Sequence, residues 1–135
     1  MTEHLQGVIR KVRERTSEGD LDGALTVLDH AMANASADRE LYVRALAPIG
    51  AAIANSLGNH ELSYQYCEVR LQFEPKNPMA LYAMADNLIS RGAIEEAEQF
   101  ATMSREAGLE TLGVNAAALI ELINSRFPGL TDKQE

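Results

Sequence analysis

Three glycines constrain this chain more than any other feature. Gly19, Gly58 and Gly92 stand in GDLDGAL (19–25), GNHELSY (58–64) and RGAIEEAE (91–98), each between two segments of helical apolar spacing. The intervals are 39 and 34 residues. A recurrence near 34 residues, with a helix on either side of a glycine turn, is the pattern of a helical repeat array, in which each unit buries its apolar stripe only by stacking on its neighbours.

The segments between the turns read as helices. Leu5, Val8, Ile9 and Val12 share one face of a first helix over about 3–17, with Thr2 as cap, and Arg10, Lys11, Arg13 and Arg15 occupy much of the rest as a solvated or contact surface. Asp20 caps a second helix whose stripe, Leu21, Ala24, Leu25, Leu28, Ala31, Met32 and Ala35, is long and regular. A third runs from near Asp38 to Leu57, and Pro48 inside it predicts a kink or split near Ala47. Gly50, Ala51, Ala52 and Ala54 make that helix thin enough for a close neighbour.

A fourth helix, about 60–73, places Leu62, Tyr66, Val69 and Phe73 on one side. EPKNP stops it, since Pro75 cannot continue the helix, while Asn77 caps the next and Pro78 suits its first position. Helix 5 covers about 78–90 and helix 6 about 94–107, where Ala107-Gly108-Leu109 reads as a left-handed stop. A final helix, about 111–127, carries Leu112, Ala116, Leu119, Ile120, Ile123 and Phe127 until Pro128-Gly129 ends it, leaving 130–135 as a frayed polar tail. The expectation is an all-α chain of about seven antiparallel helices without β-sheet. Helix pairs at 3–35, 38–73 and 78–107, with a capping helix, make one domain over 1–129.

Composition agrees. Of 135 residues, 46% are hydrophobic and only 5% aromatic, a balance that favours helix-on-helix packing. A net charge of -8 opposes broad binding to nucleic acid or anionic membrane. The single cysteine, Cys67, excludes an intrachain disulfide framework and suits a reducing compartment. The apolar runs are too short to span a bilayer and the N-terminus lacks a signal-like stretch, so the expected location is cytoplasmic.

Chemistry is sparse. Gly92 follows no strand and has no GK[ST] or GxGxxG beside it, so it reads as a turn and not as a phosphate loop. Glu95, Glu96 and Glu98 fall in a first helical turn, where negative charge interacts well with the helix dipole. His4, His30 and His60 are scattered, and none lies four residues from another His or from Cys67, so neither a metal nor a cofactor is expected. A thiol site joining His60, Glu61 and Cys67 is the weaker alternative to a buried structural cysteine.

The residues at these spacings resemble the tetratricopeptide repeat (TPR) family. In 78–109 the pattern's packing and turn positions hold Leu81, Met84, Ala85, Leu88, Gly92 and Ala97. The unit at 44–77 keeps Gly58, Tyr66 and FEPKNP but has Ser63 for the usual alanine, with Ala47 and Gly50 where larger residues are usual. The unit at 5–38 keeps Gly19, Ala24, Leu28 and Ala31 and departs at Lys11 and Arg15.

The resemblance implies an α-solenoid whose first helices line a concave groove for an extended or helical peptide. Groove positions would then fall at Gln6, Ile9, Arg13, Ala52, Asn55, Met79, Tyr82, Asp86, Ile89 and Ser90. Arg13, Ala52 and Asp86 make a poor carboxylate clamp, whereas Met79, Tyr82 and Ile89 suit an apolar peptide or partner helix. Small acidic TPR proteins are also similar in architecture to chaperones of bacterial secretion-system translocators. The expected function is thus a non-enzymatic protein-interaction module of scaffold, adaptor or chaperone type. The alternative is a homo-oligomeric element packing through the thin Ala51, Ala52 and Ala54 face or through an open end.

Overall fold

The computed structural model describes residues 2–133, and within them the chain is helical with no strand. It forms two compact units, Met1–Phe73 and Glu74–Glu135. The first contains α1 (Glu3–Ser17), α2 (Leu21–Ala33), a 3-10 turn at Ser36–Asp38, α3 (Arg39–Ser56) and α4 (His60–Phe73). The second contains α5 (Pro78–Ser90), α6 (Ile94–Leu112), a 3-10 turn at Gly113–Ala116, α7 (Ala117–Arg126) and α8 (Pro128–Lys133).

The three glycine turns are the same structure three times. Gly19, Gly58 and Gly92 have φ of 82°, 74° and 83°, a left-handed conformation that costs glycine little. Each glycine N–H bonds back to the third preceding carbonyl, at Thr16, Asn55 and Ile89, over 3.0, 3.0 and 3.1 Å. The following N–H of Asp20, Asn59 or Ala93 reaches back five residues, to Arg15, Ala54 or Leu88, at 2.9 Å each time. These paired bonds satisfy carbonyls that a helix end otherwise leaves open.

The next helix then begins alike in all three. Its fourth residue is small and buried: Ala24 and Ala97 are fully buried and Ser63 nearly so. The Ser63 hydroxyl donates to the Ala51 carbonyl of α3 at 3.2 Å, which meets the cost of a buried polar group at this position. α1/α2, α3/α4 and α5/α6 are therefore three helical hairpins of one design.

The first unit's core is Leu5, Val8, Val12, Leu28, Val43, Leu46 and their neighbours. Thr2 caps α1 through the Leu5 N–H at 3.1 Å, and Asp20 caps α2 through Gly23 at 3.0 Å. α3 runs unbroken through Pro48, so the expected split does not occur. Seven buried side chains, with the buried Gly50, along its 18 residues hold it against its neighbours, which offsets the roughly 3 kcal/mol of an internal proline.

The thin stretch of α3 lies on α4. A Cβ on Gly50 would come 2.7 Å from the Tyr66 ring, and Ala51 and Ala54 are buried within the same chain, whereas Ala52 is exposed. α4 itself buries Ser63, Tyr66 and Cys67, while Leu62, Val69 and Phe73 of the expected stripe remain half-exposed.

The second unit departs most from expectation. α6 continues past Gly108 to Leu112, and the left-handed glycine is Gly113, at φ 56°. Gly108 is buried inside the helix because a Cβ there would meet Leu119 Cδ2 at 2.9 Å; its role is close approach, not termination. Leu109 and Leu112, expected to fold inward, stand exposed. The last long helix is accordingly shorter, Ala117–Arg126.

Pro128 opens α8, which runs to Lys133, and Leu130 is buried; residues 134–135 lie outside those described. Phe127, Leu119 and Ile123 fill the core here. Asn77 caps α5 by accepting from Met79 and Ala80, and the Ser104 hydroxyl donates to the Pro78 carbonyl at 2.8 Å, fixing α6 to the start of α5.

Candidate functional site

In the first unit α1 and α3 flank an apolar cleft of about 560 Å3, with Leu21 of α2 at its edge. Val12, Pro48, Ile49, Ala52 and Ile53 form most of its wall. Its hydroxyls are already engaged: Thr16 donates to the Val12 carbonyl at 2.8 Å and Ser56 to the Ala52 carbonyl at 3.2 Å. Pro48 brings no N–H at all.

Arg13 is the charged group of this cleft, and it is exposed. By contrast, Arg15 pairs with Asp20 at 3.1 Å. Arg13 and Ala52, named from the repeat register, thus share one cleft. Gln6 and Ile9 lie with Arg10, Arg13 and Glu14 along an adjoining surface of α1. Asn55 is exposed but lines neither depression.

In the second unit α5 presents Met79 at 49% exposure, Tyr82, Asp86 and Ile89 half-buried, and Ser90 exposed. Arg126, which sequence reasoning missed, reaches this row from α7. Its Nε donates to Asp86 Oδ1 at 3.0 Å and its NH2 to Ser90 Oγ at 3.1 Å. Two predicted site residues are thereby tied together by Arg126, and Asp86 is an ion-paired carboxylate and not a lone anion.

The Tyr82 hydroxyl is held above its ordinary range by burial, with the Asp86 charge adding to the effect and Arg126 opposing it. Leu122, one turn before Arg126, is 45% exposed and extends the apolar content of α7. The local sequence signal for Arg126 was only a basic side chain in a last helical turn.

A further cavity of about 910 Å3 lies among the first half of α1, the second half of α2 and the start of α3. Glu3, His4, Lys11, His30, Asp38 and Tyr42 line part of it, and the His4 ring lies 6.0 Å from that of Tyr42. None of these was among the groove positions that the repeat register gave.

No group of three or more His, Cys, Asp or Glu among the described residues is arranged to hold a metal ion. Cys67 is 4% exposed, and His60 stands seven residues earlier on α4, about 10 Å along the helix axis. Glu95 and Glu96 occupy the first turn of α6 and are exposed, as their dipole reading implies. No helix among the described residues is long and apolar enough to cross a membrane. Comparison with models of known families, with curated proteins and with solved structures found no match.

Proposed function

We propose that the chain is a non-catalytic, TPR-like helical-repeat module, an α-solenoid in type, that captures a peptide or partner helix on the surfaces of its first-in-pair helices. Support for the family reading is the threefold turn, with the same hydrogen bonds and the same small buried residue after it. A cytoplasmic protein partner belongs to this reading, with no nucleic acid or membrane involved.

The observation that carries the binding role is the cleft between α1 and α3. It joins an apolar wall to one exposed guanidinium, Arg13, a combination that accommodates an aliphatic side chain while orienting its backbone or a nearby acidic group. On α5, Met79, Tyr82 and Ile89 offer further apolar area, and the Asp86–Arg126 pair supplies direction more than affinity.

Affinity capture from the source cell, followed by quantification of the partner it identifies, tests the reading. Ala52→Arg fills the cleft from an exposed position, and Tyr82→Ala with Asp86→Lys alters the α5 surface. Partner retention should fall by on the order of tenfold for each change. Retention equal to wild type in both variants overturns the assignment.

A further inference from the structure

Charge is distributed unequally between two helices near the ends of the sequence. α1 holds four basic and two acidic side chains, whereas α6 holds five glutamates and one arginine. Arg15 is engaged by Asp20, while Arg10, Lys11 and Arg13 make no ion pair among the described residues. Glu106 and Glu110 near the end of α6 are likewise exposed and without one.

Apolar surface follows the same division. Leu109, Leu112 and Val114 are 54%, 39% and 93% exposed, three large aliphatic side chains within six residues. Leu109 and Leu112 stand one turn apart on α6, and Glu106 and Glu110 flank them. The α1/α3 cleft is the counterpart, an apolar recess with Arg13 on it and Arg10 one turn earlier on α1.

We propose that the acidic, aliphatic end of α6 in one copy docks into the α1/α3 cleft of a second copy, so that the chain self-associates head to tail. Burial of the leucines and valine supplies the attraction, at about 25 cal/mol per Å2 of apolar area removed from water. Pairing of Glu106 and Glu110 with Arg10 and Arg13 selects this contact between unlike surfaces, because α1 against α1 or α6 against α6 would oppose like charges. The two surfaces differ, so the contact is heterologous: each copy that docks still offers an open cleft or an open α6 end. The receptor half rests on the cleft reading above; the donor half is independent of it.

Sedimentation equilibrium tests this without any foreign partner. Wild type should show a mass that rises with concentration between about 10 µM and 1 mM, the range of a weak docking contact. Arg10→Glu with Arg13→Glu blocks the cleft, and Leu109→Asp with Val114→Asp blocks the α6 end. Each double variant alone should keep the monomer mass, and a 1:1 mixture should form a dimer and nothing larger. The milder pairs Arg10→Gln with Arg13→Gln, and Leu109→Ser with Val114→Ser, repeat the experiment if circular dichroism shows either charged variant unfolded.

A wild-type chain that stays monomeric across the range overturns the proposal and leaves the cleft to a foreign peptide. So does a mixture that fails to associate, or a blocked variant that associates like wild type, which is the signature of a symmetric contact. Loss of partner capture by Ala52→Arg together with a monomeric wild type would reject self-association and keep the peptide reading. Head-to-tail dimers with unaltered partner capture would do the opposite.

Discussion

The ring of Tyr66 occupies the space that a side chain on Gly50 would need, with Cε1 2.7 Å from the position of an added Cβ. α3 and α4 approach closely here because one partner contributes no side chain. Gly50→Ala gains a helix-propensity benefit of about 0.5–1 kcal/mol but forces a packed aromatic ring aside, at about 1–3 kcal/mol. A net loss of about 1–2 kcal/mol is expected in urea unfolding. Combination with Tyr66→Leu should return part of it, and a double variant no better than Gly50→Ala alone would dissociate the effect from the ring.

Gly19, Gly58 and Gly92 should behave differently from Gly50. Nothing stands within 4 Å of a Cβ at any of them, so replacement costs only the strain of a left-handed alanine. Each alanine variant should lose about 1 kcal/mol in thermal or urea unfolding, and asparagine should lose less. Equal losses for alanine and asparagine would show that conformation is not the cause.

Tyr66 also donates its hydroxyl to Asp29 of α2, joining the two hairpins of the first unit. Burial, followed by the Asp29 hydrogen bond and charge, raises the phenol well above its usual value of 10.0. The folded chain therefore holds this proton more tightly than the unfolded chain. The associated stability is complete below pH 10 and is lost as the pH rises beyond it. Absorbance titration should show Tyr66 ionising late, accompanied by unfolding; Tyr66→Phe should remove that late step and cost about 1 kcal/mol at neutral pH.

Arg126 and Asp86 act on Tyr82 in opposite senses. Asp86→Asn should lower the Tyr82 pKa, and Arg126→Gln should raise it, as read by NMR of the ring. Global stability should change by less than about 1 kcal/mol in either case, since both partners are substantially exposed. Shifts of the same sign would mean that Arg126 does not sit over this row in solution.

The hairpins were legible because their signals are local. A glycine after an apolar-periodic segment and a small residue five places on decide the turn within one short stretch, helped by the capping side chains of Asp20 and Asn59 at the first two corners, where the third has Ala93. Ala24, Ser63 and Ala97 could be aligned from sequence, and all three are buried as the register requires. The same reasoning failed at Gly108, because a glycine chosen for close approach to Leu119 looks in sequence like one chosen for positive φ.

The candidate site was legible only in part. Register placed Arg13 and Ala52 on neighbouring first helices, and the structure brings them to one cleft. Arg126 reaches Asp86 and Ser90 from 40 and 36 residues away, and helical periodicity carries no information over that separation. Pro48 misled as to a split for a related reason: its local penalty was visible, but the burial along α3 that keeps the helix continuous depends on tertiary packing.

The recurrent turn has a kinetic consequence. Each hairpin closes over a three-residue link, so its defining contacts join parts of the chain that are near in sequence. Little loop entropy is lost before such contacts form. Folding can start at any of the three corners and spread to adjacent helices, giving the rapid collapse expected of a topology of low contact order.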